Sequence, residues 1–214
     1  MTAAKSKVEA CVKDIDLWMI KNKLKFNGDK TELVVLSAAH RPFSSEVSLN
    51  ILGFDILSSS SARNIGVIFD KKLSLECHIT AVCKSCFFHI HNIWKIRKWL
   101  SVTACETLVH AFISSKLDFC NSLLYGLPKS SINKLQRVQN AAARLISFSR
   151  KRDHITPILY NLHWLPVDQR IEYKILLITF KILNGISPSY LSDLIQPYKP
   201  SRSLRSSSDR KSVV

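Results

Sequence analysis

Hydrophobic and polar residues follow one pattern in the first third of the chain and another in the rest. Between Val8 and Met19 apolar residues recur at helical spacing, which predicts an amphipathic helix over about residues 4–23. Short apolar runs separated by turn residues follow, and they predict strands. The predicted strands cover residues 33–36, 47–51, 53–57 and 64–69, the last with Gly66 inside it.

Beyond these strands the pattern becomes helical, beginning with one apolar stripe from Ile79 to Leu100. A capping box at Thr103–Glu106 and prolines at Pro157 and Pro166 predict where later helices begin. The later helices cover residues 103–116, 132–148, a short segment from 156, 166–183 ended by Asn184–Gly185, and a short segment from 187. The sequence therefore predicts an α+β fold, mostly α, with a small antiparallel sheet ahead of a helical bundle.

The composition suits one globular domain, or one domain with an appendage, and excludes disorder for most of the chain. The 214 residues are 46% hydrophobic, which is enough to bury a core. The net charge is +15, and residues 71–214 contribute +14 of it. Such an excess favours polyanionic partners, chiefly nucleic acid or an anionic membrane. The surface that faces the polyanion should therefore lie after residue 70.

The six cysteines are expected to be reduced thiols of an intracellular protein, in the nucleus or the cytoplasm. Residues 1–7 have no apolar segment behind them that would form a signal peptide. The densest apolar run, Ile175–Phe180, is too short to span a bilayer. We therefore predict a protein that is neither secreted nor transmembrane and has no membrane partner.

A basic stripe on the predicted third helix is the first candidate binding surface. Lys134, Arg137, Arg144 and Lys151 fall at spacings of three and seven, which places them on one side of the helix if it extends that far. Residues 129–152 contain seven Lys/Arg and no acid. Such a face can lie along a phosphate backbone, although a solvated charged face is the alternative. The run of Arg150, Lys151 and Arg152 could instead belong to a nuclear import signal.

A second basic cluster has aromatic residues beside it. Lys95, Arg97 and Lys98 lie next to Trp94 and Trp99. An aromatic ring next to cations can stack on an unpaired base. The alternative is that both tryptophans pack inward.

Cysteines and histidines between residues 77 and 91 have spacings that zinc could accept. The segment nevertheless predicts one continuous helix, whereas zinc knuckles need a turn to bring four ligands together. Cys83 and Cys86 also fall on the apolar stripe, where cysteine acts as a small hydrophobic residue. We therefore predict no metal site. The sequence also contains no nucleophile constellation, phosphate-cradling glycine loop or dinucleotide fingerprint.

Three segments carry the signature of a known family. Residues 18–32 end in an Asn-x-x-Lys-Thr-Glu turn, residues 64–70 read Asn-Ile-Gly-Val-Ile-Phe-Asp, and a third segment covers residues 78–206. The landmarks of the third segment are Leu108–Phe112, Leu117–Asn121, Leu135–Arg144, His154–Pro157 and Leu162–Val167. Together they resemble the C-terminal part of the reverse transcriptases of non-LTR (LINE-type, jockey-like) retrotransposons, from after the catalytic aspartates through the thumb and post-thumb region.

This resemblance implies a role for each part of the chain. Residues 1–72 would be a palm remnant, residues 73–199 a helical thumb and post-thumb region, and residues 200–214 a disordered basic tail, which their Ser/Arg-rich composition also favours. Lys30 matches the motif-D lysine, which is proposed to neutralise or protonate the departing pyrophosphate. Asn64 and Gly66 match the strand that leads into the primer grip.

Reverse transcription needs Mg²⁺ ions held by carboxylates, and the resemblance places those carboxylates in a palm upstream of Trp18. The chain has no Asp-Asp pair, and Asp14 and Asp16 would point in different directions on a helix. We therefore expect a fragment derived from an RNA-directed DNA polymerase that is not an enzyme on its own and carries no cofactor. Its partners would be RNA, DNA or an RNA–DNA hybrid, with no small-molecule substrate. Lys30 would then have no reaction to serve, and an exposed turn lysine is the alternative.

Two other functional interpretations stay open. The chain could be a helical protein-interaction module, or a translated transposon fossil without a function. The helix over Ile171–Leu183 is apolar nearly all round, so it must be buried within this chain or against another surface.

Overall fold

A computed structural model describes residues 2–38 and 47–195, and within them the fold is α+β and mostly helical, as predicted. The chain divides into two compact units between Phe87 and Phe88. This division lies inside a helix and after the boundary at residues 72–73 that the resemblance implies. The predicted basic tail, residues 200–214, lies outside the described residues.

The first unit contains one long helix and two β-hairpins. Its elements are α1 (Thr2–Lys21), a 3₁₀ turn (Gly28–Lys30), β1 (Ser48–Ile51), β2 (Phe54–Leu57), β3 (Ser61–Asn64) and β4 (Val67–Asp70). The strands pair antiparallel as β1–β2 and β3–β4, in two separate two-stranded sheets rather than one. Leu49, Ile51 and Ile56 form the buried core, against which Val12, Phe26 and Leu33 pack.

Both hairpins turn through two residues with positive φ. Leu52 and Gly53 have φ of 52° and 87°, and Ile65 and Gly66 have φ of 45° and 86°. A two-residue turn in which both residues have positive φ has a backbone twist that matches the right-handed twist of the flanking strands. The prediction of one strand over residues 64–69 with a glycine inside it is therefore wrong, because Gly66 forms the turn between β3 and β4.

The predicted strand over residues 33–36 is also wrong. Leu33 forms only an isolated parallel bridge with Ser58. Its carbonyl accepts hydrogen bonds from the backbone and side chain of Ser59, at 2.7 and 3.2 Å. The apolar run thus contributes Leu33 to the core without forming a strand.

The carboxylate of Asp70 organises the turn between β4 and the next helix, α2 (Glu76–Ile96). It accepts hydrogen bonds from the backbone of Lys72 (3.0 Å), Ser74 (3.1 Å) and Leu75 (2.7 Å), and from the Ser74 hydroxyl. Burial would raise its pKa, but these donors together hold the pKa below the ordinary value of 3.8. The ionised carboxylate therefore stabilises the turn.

The stripe predicted on α2 is confirmed, since Ile79, Cys86 and Ile93 are buried. His78, near the start of α2, is buried as well. Burial lowers the pKa of His78 from its ordinary value of 6.5, and the nearby positive charge of Arg63 lowers it further. Both effects therefore disfavour the protonated form of His78 in the folded chain.

The second unit is helical throughout its described part. After the end of α2 its elements are a 3₁₀ turn (Arg97–Trp99), α3 (Val102–Val109), a π-helical turn (His110–Ser114), α4 (Ser115–Asp118), a 3₁₀ turn (Asn121–Leu124), α5 (Lys129–Ser147), α6 (Ile155–Asn161), α7 (Val167–Leu183) and α8 (Ser189–Ser192). Its core includes the almost completely buried side chains of Val109, Ile113, Leu135, Val138, Leu145 and Ile146.

Several predicted helix ends shift by about one turn or less. The predicted box at Thr103 is not the cap of α3, because the Ser101 side chain accepts from the backbone of Ala104 at 3.1 Å. Helix α6 begins after His154, ahead of the predicted start at residue 156. The predicted end of α7 at Asn184–Gly185 is confirmed, and Gly185 has a φ of 68°.

Within the described residues, α7 is covered on one side only. Val167, Ile171 and Thr179 are buried, whereas Leu176 and Phe180 are 65% and 59% exposed. Among the described helices, none combines the length and apolar character needed to cross a membrane.

Candidate nucleic-acid interface

Arg97, which the sequence places in the predicted binding set, is buried in the structure and only 3% exposed. Its Nε donates to the carbonyl of Leu145 at 2.8 Å, and a terminal nitrogen donates to the carbonyl of Ile146 at 2.7 Å. The other terminal nitrogen donates to the carbonyl of Leu100 at 2.9 Å. Arg97 therefore does not present its charge to a ligand, and its assignment to the binding surface is wrong.

The buried guanidinium instead caps the C-terminal end of α5 by donating to its free carbonyls. The last carbonyls of a helix have no partner within the helix, and a cation there is also favoured by the helix dipole. Phe148, which follows α5, has a left-handed backbone with φ of 56° and ends the helix. Arg97 thus joins the end of α2 to the end of α5, although the bonded residues are 48 and 49 positions apart in the chain.

This junction creates an exposed aromatic surface. The Arg97 Cζ atom lies 4.4 Å from the centroid of the Phe148 ring, and the Trp94 and Phe148 centroids are 6.2 Å apart. Trp94 is 56% exposed, Phe148 is 55% exposed and Trp99 is 70% exposed. The alternative in which both tryptophans pack inward is therefore wrong. We call these three exposed residues, Trp94, Trp99 and Phe148, the aromatic platform, in which the rings of Trp94 and Phe148 are the pair in contact.

Phe148 is the functional candidate that the sequence analysis missed. The periodicity assigned it only to the end of a helix. The sequence nevertheless contains an aromatic residue next to cations at this point, since Phe148 lies two residues before the basic run at 150–152. Its contact with Trp94 and Arg97 depends on the fold of the second unit, so the sequence pattern could not show it.

Five of the other predicted cations lie close to these aromatic residues in the sequence. Lys95 and Lys98 are exposed, and the Lys98 ammonium lies 4.1 Å from the centroid of the Trp99 ring. Arg150, Lys151 and Arg152 are exposed in the turn that follows Phe148. Within the part of the chain that the structure describes, none of these five cations forms an ion pair.

Helix α5 extends this basic surface, but not as far as predicted. Lys134 and Arg137 are exposed on α5. Helix α5 ends at Ser147, so Lys151 does not continue the stripe on the helix as the spacing suggested. Lys134 and Ser147 are 13 helical steps apart, a distance of about 20 Å.

Arg144 has a mixed role. It is half-buried, one terminal nitrogen donates to the carbonyl of Asp153 at 3.2 Å, and its Nε is buried without a partner among the described residues. The Asp153 carboxylate in turn accepts from the backbone of Arg150 at 2.6 Å. Arg144 therefore helps to shape the basic turn and offers less of its charge to a ligand than the exposed Arg137 does.

The remaining predicted site residues lie in the first unit. Lys30 is exposed, and the Asn27 side chain accepts from its backbone at 3.2 Å. The Thr31 hydroxyl donates to the carbonyl of Asn27 at 2.9 Å, so the Asn-x-x-Lys-Thr stretch forms a self-bonded turn. Asn64 and Gly66 are exposed at the β3–β4 turn. These residues do not belong to the surface built by the second unit.

The cysteines and histidines of α2 are not gathered into a metal site in the described residues, where no group of three or more potential ligands occurs. Helix α2 is continuous, and Cys86 is fully buried on its apolar face. In the second unit, burial raises the pKa of the Cys105 thiol, which lies 3.9 Å from the carbonyl of Leu145.

Compared with protein-family models, with curated proteins and with solved structures, the chain shows no match to any of them.

Proposed function

We propose that the chain binds RNA, DNA or RNA–DNA hybrid through unpaired bases at the aromatic platform and phosphates at the surrounding cations. The observation that carries this proposal is the buried Arg97 junction, which joins two basic segments and leaves the Trp94 and Phe148 rings open to solvent. Exposed aromatic rings stack on bases with little sequence preference. Cations without carboxylate partners are available to phosphates.

The charge distribution supports the same proposal. The exposed residues Lys95, Lys98, Arg150, Lys151 and Arg152 lie within four positions of a platform residue in the chain, and Lys134 and Arg137 are exposed on α5. A helix face about 20 Å long can follow several nucleotides of a backbone. Each phosphate contact releases counterions, so we expect binding that weakens steeply with salt.

We also propose that this surface descends from a non-LTR retrotransposon reverse transcriptase, of which the chain is a catalytically incomplete part. The resemblance of residues 18–32, 64–70 and 78–206 supports this origin. The sequence has no adjacent aspartates that could hold Mg²⁺ for nucleotide addition. The proposed residual activity is therefore binding without polymerisation, and Lys30 is an exposed turn lysine.

Fluorescence anisotropy with a labelled single-stranded oligonucleotide tests the aromatic platform. We expect Trp94→Ala and Trp99→Ala each to weaken binding by about tenfold, because one stacked base contributes roughly 1–3 kcal/mol. Trp18→Ala is the matched control, since Trp18 is 60% exposed but lies on α1 in the first unit. Equal affinities for all three variants and the unmodified chain would contradict the proposal.

The salt dependence of the same measurement tests the cations. Lys98→Gln and Arg137→Gln should each weaken binding to every sequence and reduce the slope of affinity against salt by about one unit. Lys13→Gln, an exposed lysine on α1, should change neither quantity. If the slope is the same for all variants, these cations do not contact phosphates.

A protein-interaction role is the second candidate, and the exposed apolar side of α7 favours it. Leu176, Phe180 and Leu183 are each more than half exposed. Contiguous exposed apolar residues of this kind often mark a protein contact. Size-exclusion chromatography combined with light scattering distinguishes the two cases, because self-association that Phe180→Ser removes would support this role.

A further inference from the structure

A cavity of about 480 Å³ lies in the second unit, between the start of α5 and the first turns of α7. Ligand sites are commonly clefts of this kind, with apolar walls and a few polar groups. Leu127 and Ile132, which are half-buried, line the cavity together with the buried Leu124 and Ile171. Part of its wall is therefore apolar surface that a ligand can cover.

Two acids line the cavity from α7, namely Asp168 and Glu172. Residues four apart are neighbours on one side of a helix, so the two carboxylates lie close to each other. Both residues are exposed. Asp168 accepts from the backbone of Gln169 at 2.9 Å, and neither acid forms an ion pair within the described ranges. A ligand can therefore reach two carboxylates whose charges are not neutralised.

The cavity differs in charge from the rest of the second unit. Residues 71–214 have a net charge of +14. The cavity is lined by one cation, Lys129, and by the two carboxylates, which gives a net charge of −1. Charges of opposite sign attract and like charges repel across a binding site. The cavity therefore favours a cationic group and disfavours a phosphate.

The shape of that cation is indicated by the other lining groups. Tyr125 lines the cavity and is 64% exposed, so its ring is available to a ligand. A guanidinium is planar, stacks on aromatic rings and presents a fixed fork of donors that matches carboxylates. The aliphatic part of an arginine side chain covers apolar surface while its charged end stays among polar groups. An ammonium group is compact and more strongly hydrated, so these groups together favour arginine over lysine.

We infer that this cavity binds the side chain of an arginine. The guanidinium donates to the carboxylates of Asp168 and Glu172, and the aliphatic part contacts Leu127 and Ile132. A free arginine and an arginine within a peptide present the same side chain. The inference goes beyond the proposed function, because its ligand is a cation and its residues do not belong to the aromatic platform.

Isothermal titration calorimetry of the full chain at low salt, with the peptide acetyl-Gly-Arg-Gly-amide, tests the inference. Two matched peptides replace the arginine with citrulline, which has nearly the same shape without the charge, or with lysine. We expect saturable binding of the arginine peptide, and binding of each matched peptide that is weaker by about tenfold or more.

Variants of the two acids identify the site. Asp168→Asn and Glu172→Gln should each weaken binding of the arginine peptide by about tenfold, because one charge-assisted contact is lost. Asp193→Asn is the matched control, as an exposed acid of the second unit that does not line the cavity. If circular dichroism shows that a variant does not fold, the comparison of the three peptides on the unmodified chain still decides the question.

Three results would overturn the inference. The first is the absence of saturable binding of the arginine peptide at millimolar concentration. The second is binding of the citrulline or lysine peptide as tight as that of the arginine peptide. The third is the same affinity in Asp168→Asn, Glu172→Gln and Asp193→Asn. Trp94→Ala should leave peptide binding intact, so failure of the platform and failure of this cavity are distinguishable.

Titration with free arginine identifies the source of the side chain. Tighter binding of the peptide shows that the cavity takes an arginine of a polypeptide partner. Tighter binding of free arginine shows that it takes the amino acid. Both outcomes support the inference.

Discussion

The buried apolar cluster of the first unit is centred on one β-hairpin, whereas the second unit contains a buried arginine that joins distant helices. In the first unit, Leu49, Ile51 and Ile56 pack together on the single hairpin formed by β1 and β2. In the second unit, Arg97 donates to the carbonyls of Leu145 and Ile146, 48 and 49 residues away. Local apolar patterning accounts for the first arrangement, but it cannot account for the second.

The difference shows how a basic sequence can serve two purposes. Arg97 and Lys98 are adjacent and both cationic, but Arg97 is 3% exposed and Lys98 is exposed. Only the planar guanidinium presents several donors in a fixed fork, so it can bind three carbonyls at once. The buried cation builds the junction, and the exposed cations around it form the proposed binding surface.

Replacing Arg97 should have the largest effect on stability. Arg97→Leu leaves the buried carbonyls of Leu145 and Ile146 without a donor, and each unpaired group costs roughly 1–3 kcal/mol. We expect the free energy of unfolding, measured by urea denaturation and circular dichroism, to fall by about 3 kcal/mol. Lys98→Leu is the control and should change it by less than about 0.5 kcal/mol. Similar losses in both variants would contradict the structural role of Arg97.

A substitution in the first unit should have a smaller effect. A Cβ atom on Gly28 would overlap Cγ of the Phe54 ring. The overlap is at the base of the ring and not at its far edge, so a simple swing of the 43% exposed side chain does not relieve it. We therefore expect Gly28→Ala to lower the free energy of unfolding by about 2 kcal/mol.

The double variant Gly28→Ala with Phe54→Ala tests the cause of that loss. It should be less destabilised than the sum of the two single changes, because the clash is gone. Strict additivity would show that Gly28 does not act through the Phe54 ring. Hydrogen exchange should place the loss in the first unit and leave the protection of α5 unchanged.

The smallest expected effect is a pH dependence specific to the first unit. Burial and the charge of Arg63 hold the pKa of His78 below 6.5 in the folded chain. The unfolded chain therefore binds a proton more readily at His78, and protonation favours unfolding. The contribution of neutral His78 to stability is present above pH 6.5 and is lost as the pH falls below it.

Urea denaturation at about pH 7 and about pH 5 measures this contribution. The loss between the two pH values should be smaller in His78→Gln, which cannot take up the proton. Because the charge of Arg63 also lowers the pKa of His78, Arg63→Gln should reduce the loss of stability between the two pH values as well, although less than His78→Gln does. An equal loss in His78→Gln and the unmodified chain would assign the pH dependence to other groups.

Several elements could be predicted from the sequence because a regular pattern of hydrophobic residues persists along them. Helices α1, α2, α5 and α7 and the β1–β2 hairpin were all expected near their observed positions. The β3–β4 turn was missed because Ile65 is an unusual residue at a positive φ, and Gly66 alone also fits a strand. The cap of α3 was misplaced because Ser101 and Thr103 are both good cap residues, and the local sequence does not distinguish them.

For the candidate site, the sequence identified the two basic segments and the tryptophans but not their relation. It could not exclude Arg97 from the surface, because the carbonyls that bury it come from the far end of α5. It could not include Phe148, whose contact with Trp94 arises from the same junction. Residues that bind through contacts distant in sequence leave no periodic signal.

The sequence by itself determined most of the helical segments, the two strands of the first hairpin and the concentration of positive charge after residue 70, because periodicity and charge are properties of neighbouring residues. The tertiary structure alone decided which cation is buried and which aromatic rings are exposed. These outcomes depend on partners that other parts of the chain provide, as the carbonyls at the end of α5 do for the buried guanidinium of Arg97.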